Sequence, residues 1–181
     1  MNNINFTNFP NLSTDRLKLR QLKLVDENEI YFLRSDENVN KYIDRPKTLT
    51  NEDARKFIDK INSGINNNEW FYWAITLKES DKFIGTICIW NFSDDKMIAE
   101  LGFELIPKYQ GKGIMQEVLL KIIEYGFENL KLIKLKAYTN QQNIPSFKLL
   151  EKTGFAQEKV FEEKHSVTGE ILNTVIYSVL R

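Results

Sequence analysis

Apolar and polar positions alternate along this chain in two different periods, and the changes between them lay out its elements. Leu17-Lys18-Leu19-Arg20 alternates like a strand, and the pattern slips at Gln21 before Leu22 and Leu24, which predicts a bulge or a strand end. Asp26 with Glu29 three residues on reads as a capping box, opening a helix that buries Ile30 and Leu33. Residues 38–48 contain Pro46 and read as a loop. Thr50 with Asp53 caps a second helix, with Ala54, Phe57, Ile58 and Ile61 as its apolar stripe and Gly64 as its end.

The period then changes. Residues 70–77, 83–90 and 97–106 are strand-like runs with short connections, around Asp81 and around Ser93-Asp94-Asp95, which favours an antiparallel meander closed by Pro107. Ile114, Met115, Val118, Leu119, Ile122, Ile123, Phe127 and Leu130 restore the helical period over about four turns. Residues 132–138 form the next strand, with Ile133, Leu135 and Ala137 on one side. Strand, helix, strand is a βαβ unit, so its two strands are expected to be parallel neighbours with a right-handed crossover. Asn143-Ile144-Pro145-Ser146 starts a helix that buries Phe147, Leu149 and Leu150, and Gly154 supplies its left-handed end. Two terminal strands, about 156–164 and 170–180, join through Gly169. The order β-α-α-β-β-β-α-β-α-β-β predicts a mixed α/β (α+β) domain over 13–181, behind a loose polar arm at 1–12.

Length and composition narrow the chemistry. A chain of 181 residues with 42% hydrophobic and 12% aromatic positions can fill one core. Twenty-five Lys+Arg balance twenty-five Asp+Glu, so the overall basic field of a general nucleic-acid binder is missing. One cysteine, Cys88, and one histidine, His165, argue against an internal disulfide framework, a Cys/His zinc site or a Ser-His-Asp triad. Cys88 reads as inert strand packing, and His165 as a surface residue near the last hairpin turn. No apolar run approaches the ~20 residues of a membrane span, and the first residues lack a signal-peptide pattern. The expectation is a cytoplasmic protein with no metal, no nucleic-acid partner and no membrane partner.

The segment that carries chemistry is Pro107-Lys108-Tyr109-Gln110-Gly111-Lys112-Gly113-Ile114-Met115, between a strand and a long amphipathic helix. Its glycines permit a tight turn with several N–H groups pointing one way, and the helix start adds unpaired donors and a positive dipole end. That is an anion cradle suited to a phosphate or pyrophosphate. The spacing does not fit G-x-x-x-x-G-K-[ST], and Gln116 stands where a dinucleotide fingerprint needs its third glycine. The pattern [Q/R]-x-x-G-x-[G/A] is met by Gln110, Gly113 and, with a larger residue, Met115; an ordinary glycine turn into a helix is the alternative.

In context the chain resembles the GNAT superfamily of N-acetyltransferases over nearly its whole length, and most closely the RimJ/RimL-type branch that acetylates ribosomal-protein N-termini. The resemblance rests on Leu12-Ser13-Thr14-Asp15-Arg16-Leu17-Lys18-Leu19-Arg20, on Phe83-Ile84-Gly85-Thr86-Ile87, on Ala99-Glu100-Leu101-Gly102-Phe103-Glu104-Leu105, and on Asn140, Asn143 and Ser146 with the ending Leu149-Leu150-Glu151-Lys152-Thr153-Gly154-Phe155. It implies the acyl-CoA acyltransferase fold, a mixed but mostly antiparallel sheet with a splayed parallel strand pair and about four flanking helices.

The resemblance also implies roles. Acetyl-CoA is the co-substrate and an amine, a protein N-terminus or a small molecule, is the acceptor; a non-catalytic acyl-CoA-binding module is the rival class, and the chain is a monomer or a homodimer. Backbone groups near Phe103, Glu104 and Leu105 bond the pantetheine amides, and one N–H near Glu104 or Leu105 faces the oxyanion. Gln110, Gly111, Lys112, Gly113, Ile114 and Met115 hold the pyrophosphate, with Lys112 adding charge, while Asn140, Asn143 and Ser146 border the pantetheine arm. Asn143 alone reads equally as a helix cap. Glu100, which stands where several GNAT members carry the base, is the first candidate and Glu104 the second; alternation puts both on one strand face, and a solvent-facing charge is the alternative for each. Ser146 is the candidate donor to the leaving thiolate, with Tyr138 and Tyr177 as fallbacks. The run Trp70-Phe71-Tyr72-Trp73 reads as a core strand with one face out, or as acceptor-pocket lining.

Overall fold

The computed structural model describes residues 9–165 and 169–181. Leu12–Ser13 forms β1 and Leu17–Arg20 forms β2. A 3-10 turn at Leu24–Asp26 leads into α1 (Glu27–Ser35), a single-turn α2 (Glu37–Asn40) and α3 (Asn51–Asn66). Then come β3 (Phe71–Leu77), β4 (Phe83–Trp90) and β5 (Ile98–Leu105). After a 3-10 turn at Pro107–Tyr109 follow α4 (Ile114–Glu128), β6 (Lys134–Asn140), α5 (Ile144–Lys152), β7 (Ala156–Lys164) and β8 (Ile171–Leu180).

One eight-stranded sheet runs in the order β1-β2-β3-β4-β5-β6-β8-β7. β3, β4 and β5 are the antiparallel meander expected from their short connections. β5 and β6 are parallel, as a βαβ unit requires. On one face α4 lays Ile114, Met115, Val118, Leu119 and Ile122 against Phe71, Trp73, Ile87, Ile89, Leu101 and Leu105. On the other, α1 and α3 bury Ile30, Leu33, Ala54, Ile58 and Ile61 with Tyr72 and Ala74. Each fully buried aliphatic side chain contributes roughly 1.5–3 kcal/mol of transfer free energy before chain entropy is counted. The run Trp70–Trp73 differs from the expectation of one outward face, because β3 is central and covered on both sides: Phe71, Tyr72 and Trp73 are all buried.

Other differences have local causes. The end of the expected polar arm is packed, not loose: Phe9 lies 5.6 Å from the Trp73 ring, and Trp73 Nε1 donates to the Pro10 carbonyl at 2.7 Å. Residues 1–8 of that arm lie outside the described residues. Asp26 does not cap α1 with its side chain. It takes both Arg20 Nη atoms, at 2.8 and 2.7 Å, and the Lys23 N–H at 2.8 Å, because a buried carboxylate is better compensated by a guanidinium than by one helix amide. The loop at 38–48 begins inside α2, whose cap is Asp36, accepting from the Val39 N–H at 2.9 Å.

Thr50 and Asp53 form the expected capping box, but Gly64 lies inside α3 instead of ending it. A Cβ there would meet Trp70 Cζ2 at 1.9 Å, so the glycine admits the indole, whose Nε1 donates to the Ile61 carbonyl at 3.0 Å. Gly64→Ala should therefore destabilise the protein by about 1–3 kcal/mol, the overpacking cost, although Ala is intrinsically the better helix former. Urea unfolding at equal protein concentration measures this; a midpoint equal to or above wild type would contradict it.

Candidate active site

β5 and β6 pair only from Ile98↔Lys134 to Leu101↔Ala137. Beyond that point β5 stays with β4 as far as Leu105↔Gly85, while β6 stays with β8 as far as Asn140↔Thr174. The two strands thus part, each held by its outer neighbour. The Met97 carbonyl accepts from the Ile133 N–H on the β6 side, and the Ile106 N–H donates to the Ile84 carbonyl on the β4 side. Alternation between these anchors turns the backbone groups of Phe103 and Leu105 into the gap, and those of Gly102 and Glu104 towards β4. Of the three residues expected at the pantetheine, Phe103 and Leu105 therefore turn their backbone groups into the gap. Glu104 does not offer its N–H to the gap, and the Leu105 carbonyl already accepts from Gln110 Nε2 at 2.9 Å.

Through that hydrogen bond Gln110 ties the glycine loop to the end of β5. Gly111 and Gly113 both have φ of +71°, the left-handed region, and a Cβ on Gly111 would meet nothing within 4 Å. The space beside Gly111 is therefore open. The first helical bond of α4 runs from the Glu117 N–H to the Gly113 carbonyl, so the N–H groups of Ile114, Met115 and Gln116 precede the ladder. The Ile114 and Met115 side chains are buried in the core beneath. Only their backbone groups are left for the loop side, so the size of Met115 is taken up by the core. Lys112 is exposed, with its ammonium 5.9 Å from the Tyr109 ring centre.

On the opposite face of the sheet, beside the same gap, lies a cavity of about 430 Å³. Its floor includes Thr86, Cys88, Glu100, Gly102 and Glu104, and its rim includes Tyr42 and Asp44 from the loop after α2, with Tyr138 and Glu163. The shared strand face expected for Glu100 and Glu104 is thus present, and neither carboxylate is simply solvent-facing. They differ in their partners. Glu104 is clasped by Arg45 through two bonds, at 2.6 and 2.7 Å, with both side chains 13% exposed. Burial alone would lower the Arg45 guanidinium, and contact with Glu104 overcomes this and holds it above its ordinary value. The Glu100 carboxylate instead accepts from a neutral amide, Asn91 Nδ2 at 2.6 Å.

The other sequence candidates divide between the two faces. Asn143 is the N-cap of α5, with Oδ1 accepting from the Ser146 N–H at 3.3 Å, and Ser146 sits half-buried in the first turn. Asn140 lines the cavity, while its Oδ1 accepts from the Gln142 N–H at 2.9 Å. Tyr138 also lines the cavity, its hydroxyl pushed above the ordinary tyrosine value by burial and by Glu100, Glu158 and Glu163. Tyr177 is buried elsewhere, and its hydroxyl donates to Glu151 at 3.3 Å. Burial pushes the Cys88 thiol up to about 12, which leaves it unreactive although it borders the cavity. His165 is not a plain surface residue: its Nδ1 lies 3.2 Å from Asp44 at the cavity rim.

Sequence reading missed Arg45 and Asp44, because both sit in an aperiodic loop. It also missed the Arg16–Glu117 pair, 2.6 Å apart beside the glycine loop. The single available signal for Arg16 was its place in the block of residues ending at Arg20. Among the described residues, no group of three or more His, Cys, Asp or Glu could hold a metal, and no helix is long and apolar enough to cross a membrane.

A family model for an acetyltransferase (GNAT) domain matches residues 16–156. The chain is 32% identical over 171 residues to an uncharacterised N-acetyltransferase, p20, of Bacillus licheniformis, spanning 94% of this chain and 96% of that protein. The crystal structure of an acetyltransferase (GNAT family) from Bacillus anthracis superposes with a TM-score of 0.83 at 27% identity, over 94% of this chain and 98% of that one. The fold is shared with a ribosomal-protein-S5-alanine acetyltransferase from Vibrio fischeri, at a TM-score of 0.80 and 24% identity over 94% and 96% of the two chains. The matched stretch takes in β2, the meander, the glycine loop and α5, and on that ground the chain belongs to the GNAT family and is an acetyl-CoA-dependent N-acetyltransferase.

Proposed function

We propose that the cleft between β5 and β6 joins two half-sites, an acetyl-CoA site on the α4 face and an amine site in the cavity. The observation that carries this reading is the parting of the strands after Leu101 and Ala137, which opens the sheet where the glycine loop and the cavity approach each other. Gly111, Gly113 and the first N–H groups of α4 bind the pyrophosphate, and Phe103 and Leu105 align the pantetheine. The Asn143 amide group borders the same arm. Acetyl-CoA supplies a thioester carbonyl as electrophile. The protein adds proximity, a Leu105 or Phe103 N–H facing the developing oxyanion, and a base.

Glu100 is the base in this reading. Glu104 shares its strand face, but Arg45 occupies both of its carboxylate oxygens, which leaves them engaged when the amine arrives. As the amine nitrogen bonds to the carbonyl carbon, its proton passes to Glu100, directly or through water. The carbon–sulfur bond breaks, and the thiolate takes a proton from Ser146 or, failing it, from Tyr138, whose oxygen regains one from water.

Among the described residues, the cavity lining includes Asp44, Glu100, Glu104 and Glu163 and no Lys or Arg, which favours an acceptor that arrives as an ammonium ion. A protein N-terminal α-amine suits a single carboxylate base, because its pKa near ~7.7–8 lies well below the ~10.4 of a lysine-like amine. The acidic lining also favours a second reading, a small polyamine. Initial rates with short N-terminal peptides and with a panel of di- and polyamines separate the two.

Glu100→Gln should lower kcat by roughly 10²- to 10⁴-fold and be partly rescued as pH rises, because the amine then deprotonates unaided. An α-amine acceptor is rescued at lower pH than a polyamine. Glu104→Gln should behave differently, lowering the melting temperature because it leaves Arg45 buried without its carboxylate, a loss of about 3–5 kcal/mol. A Glu100→Gln enzyme with wild-type rates between pH 6 and 9 would remove Glu100 from the mechanism.

Coenzyme A should bind and raise the melting temperature, by about 2.7 kcal/mol of stabilisation at a hundredfold excess over Kd, while NAD and ATP should not. Gly113→Asp should weaken that binding far more than it weakens folding: a Cβ there meets only Arg16 Nη2, at 3.7 Å, and the left-handed backbone, which Asp tolerates better than most residues, costs about 1–2 kcal/mol. Titration calorimetry and melting curves on the same sample check both parts; unchanged affinity in the folded variant is the contrary result. Ser146→Ala should lower kcat with little change in KM for acetyl-CoA, because the hydroxyl acts only as the thiolate forms. A solvent-exposed thiolate is a fair leaving group, so the loss is modest, and a kcat equal to wild type would pass the role to Tyr138.

A further inference from the structure

The first turn of α4 holds an acidic residue, Glu117. A carboxylate near a helix N-terminus is favourable for the helix alone, but beside a phosphate cradle it opposes the anion that the helix is to bind. The chain meets this with Arg16, from the turn that enters β2. Arg16 Nε reaches Glu117 Oε2 at 2.6 Å, and the Arg16 backbone N–H donates to Glu117 Oε1 at 3.0 Å. Thr14 Oγ1 donates to the same Oε1. Burial alone would raise the Glu117 carboxyl, and these bonds from Thr14 and Arg16 outweigh it and hold the group below the usual carboxylate range. Glu117 therefore stays charged at neutral pH and depends on Arg16 for its neutralisation. Arg16 Nη1 continues to the Lys112 carbonyl at 3.1 Å, inside the glycine loop, and Nη2 lies against Gly113.

We propose that Arg16 is a positioning residue for the acetyl-CoA pyrophosphate: it screens the Glu117 carboxylate from the cradle and fixes the loop through the Lys112 carbonyl. This rests on the assignment of the 110–115 loop as the pyrophosphate site. Glu117 in turn orients Arg16, so the pair is a charge-balanced latch between the β1–β2 turn and the first turn of α4. Thr14 and Arg16 lie about a hundred residues from Glu117 in sequence and meet it only through the fold.

The inference has a signature that a merely structural latch lacks. Arg16→Ala exposes the Glu117 charge, so coenzyme A binding should weaken roughly three- to tenfold, an effect that shrinks in high salt. Adding Glu117→Gln to Arg16→Ala removes the exposed charge, so affinity should return to within about twofold of wild type, although the double variant has fewer latch bonds. Titration calorimetry with coenzyme A, at low and high ionic strength, reads both variants, and melting curves without ligand confirm that each is folded. If the double variant binds as weakly as Arg16→Ala or more weakly, screening is wrong and Arg16 acts as a strut or a direct contact. If Arg16→Ala binds like wild type, the inference is wrong outright. Wild-type protein that binds no coenzyme A overturns the cradle assignment itself, which is distinct from either result.

Discussion

The structure depends on two parallel strands that stop being neighbours. Along β5 and β6 the backbone bonds run for four residue pairs and then end, while both strands continue. Backbone N–H and C=O groups inside a sheet must find partners, so such a gap is unstable unless something fills it. The protein fills one position itself, with Gln110 Nε2 on the Leu105 carbonyl. The groups of Phe103 and the N–H of Leu105 remain oriented into the gap. The gap persists because β5 is fixed by β4 and β6 by β8, and because core side chains on the α4 face hold the two strands at the point of contact.

Around this gap, charge is distributed by face. On the α4 side the loop and helix start present N–H donors, and the one acidic side chain of the first turn is held by Arg16. On the opposite side the cavity lining is acidic, and one of its carboxylates is held by Arg45. Charge arranged in this way suits an anionic ligand on one face of the opening and a cationic one on the other. On each face one carboxylate is paired with an arginine.

The fold was largely legible in the sequence because its elements are strongly periodic. The meander, the amphipathic α4 and the Asn143 cap of α5 all follow from local spacing. The misses share one cause, contacts between distant residues that override local preference. Asp26 has the form of a helix cap, yet Arg20 claims its carboxylate. Gly64 has the form of a helix end, yet it makes room for Trp70. In the site, the glycine loop and the shared face of Glu100 and Glu104 were legible from spacing and alternation. The loop carrying Tyr42, Asp44 and Arg45 was not, because an aperiodic segment carries no signal of what it will touch.

Glu100 and Glu104 show what local pattern alone leaves undetermined. They are the same residue type, on one strand face, bordering one cavity. Period two makes them equivalent. Arg45, 59 positions from Glu104 in sequence, removes the equivalence by taking both oxygens of one carboxylate. Glu104 then anchors the rim loop to the sheet, and with it Asp44, which meets His165 of the final hairpin. Glu100 meets a neutral amide in place of a guanidinium, and it is the carboxylate proposed to take the proton of an incoming amine. The division between a carboxylate that builds the pocket and one suited to work in it is made by a single guanidinium.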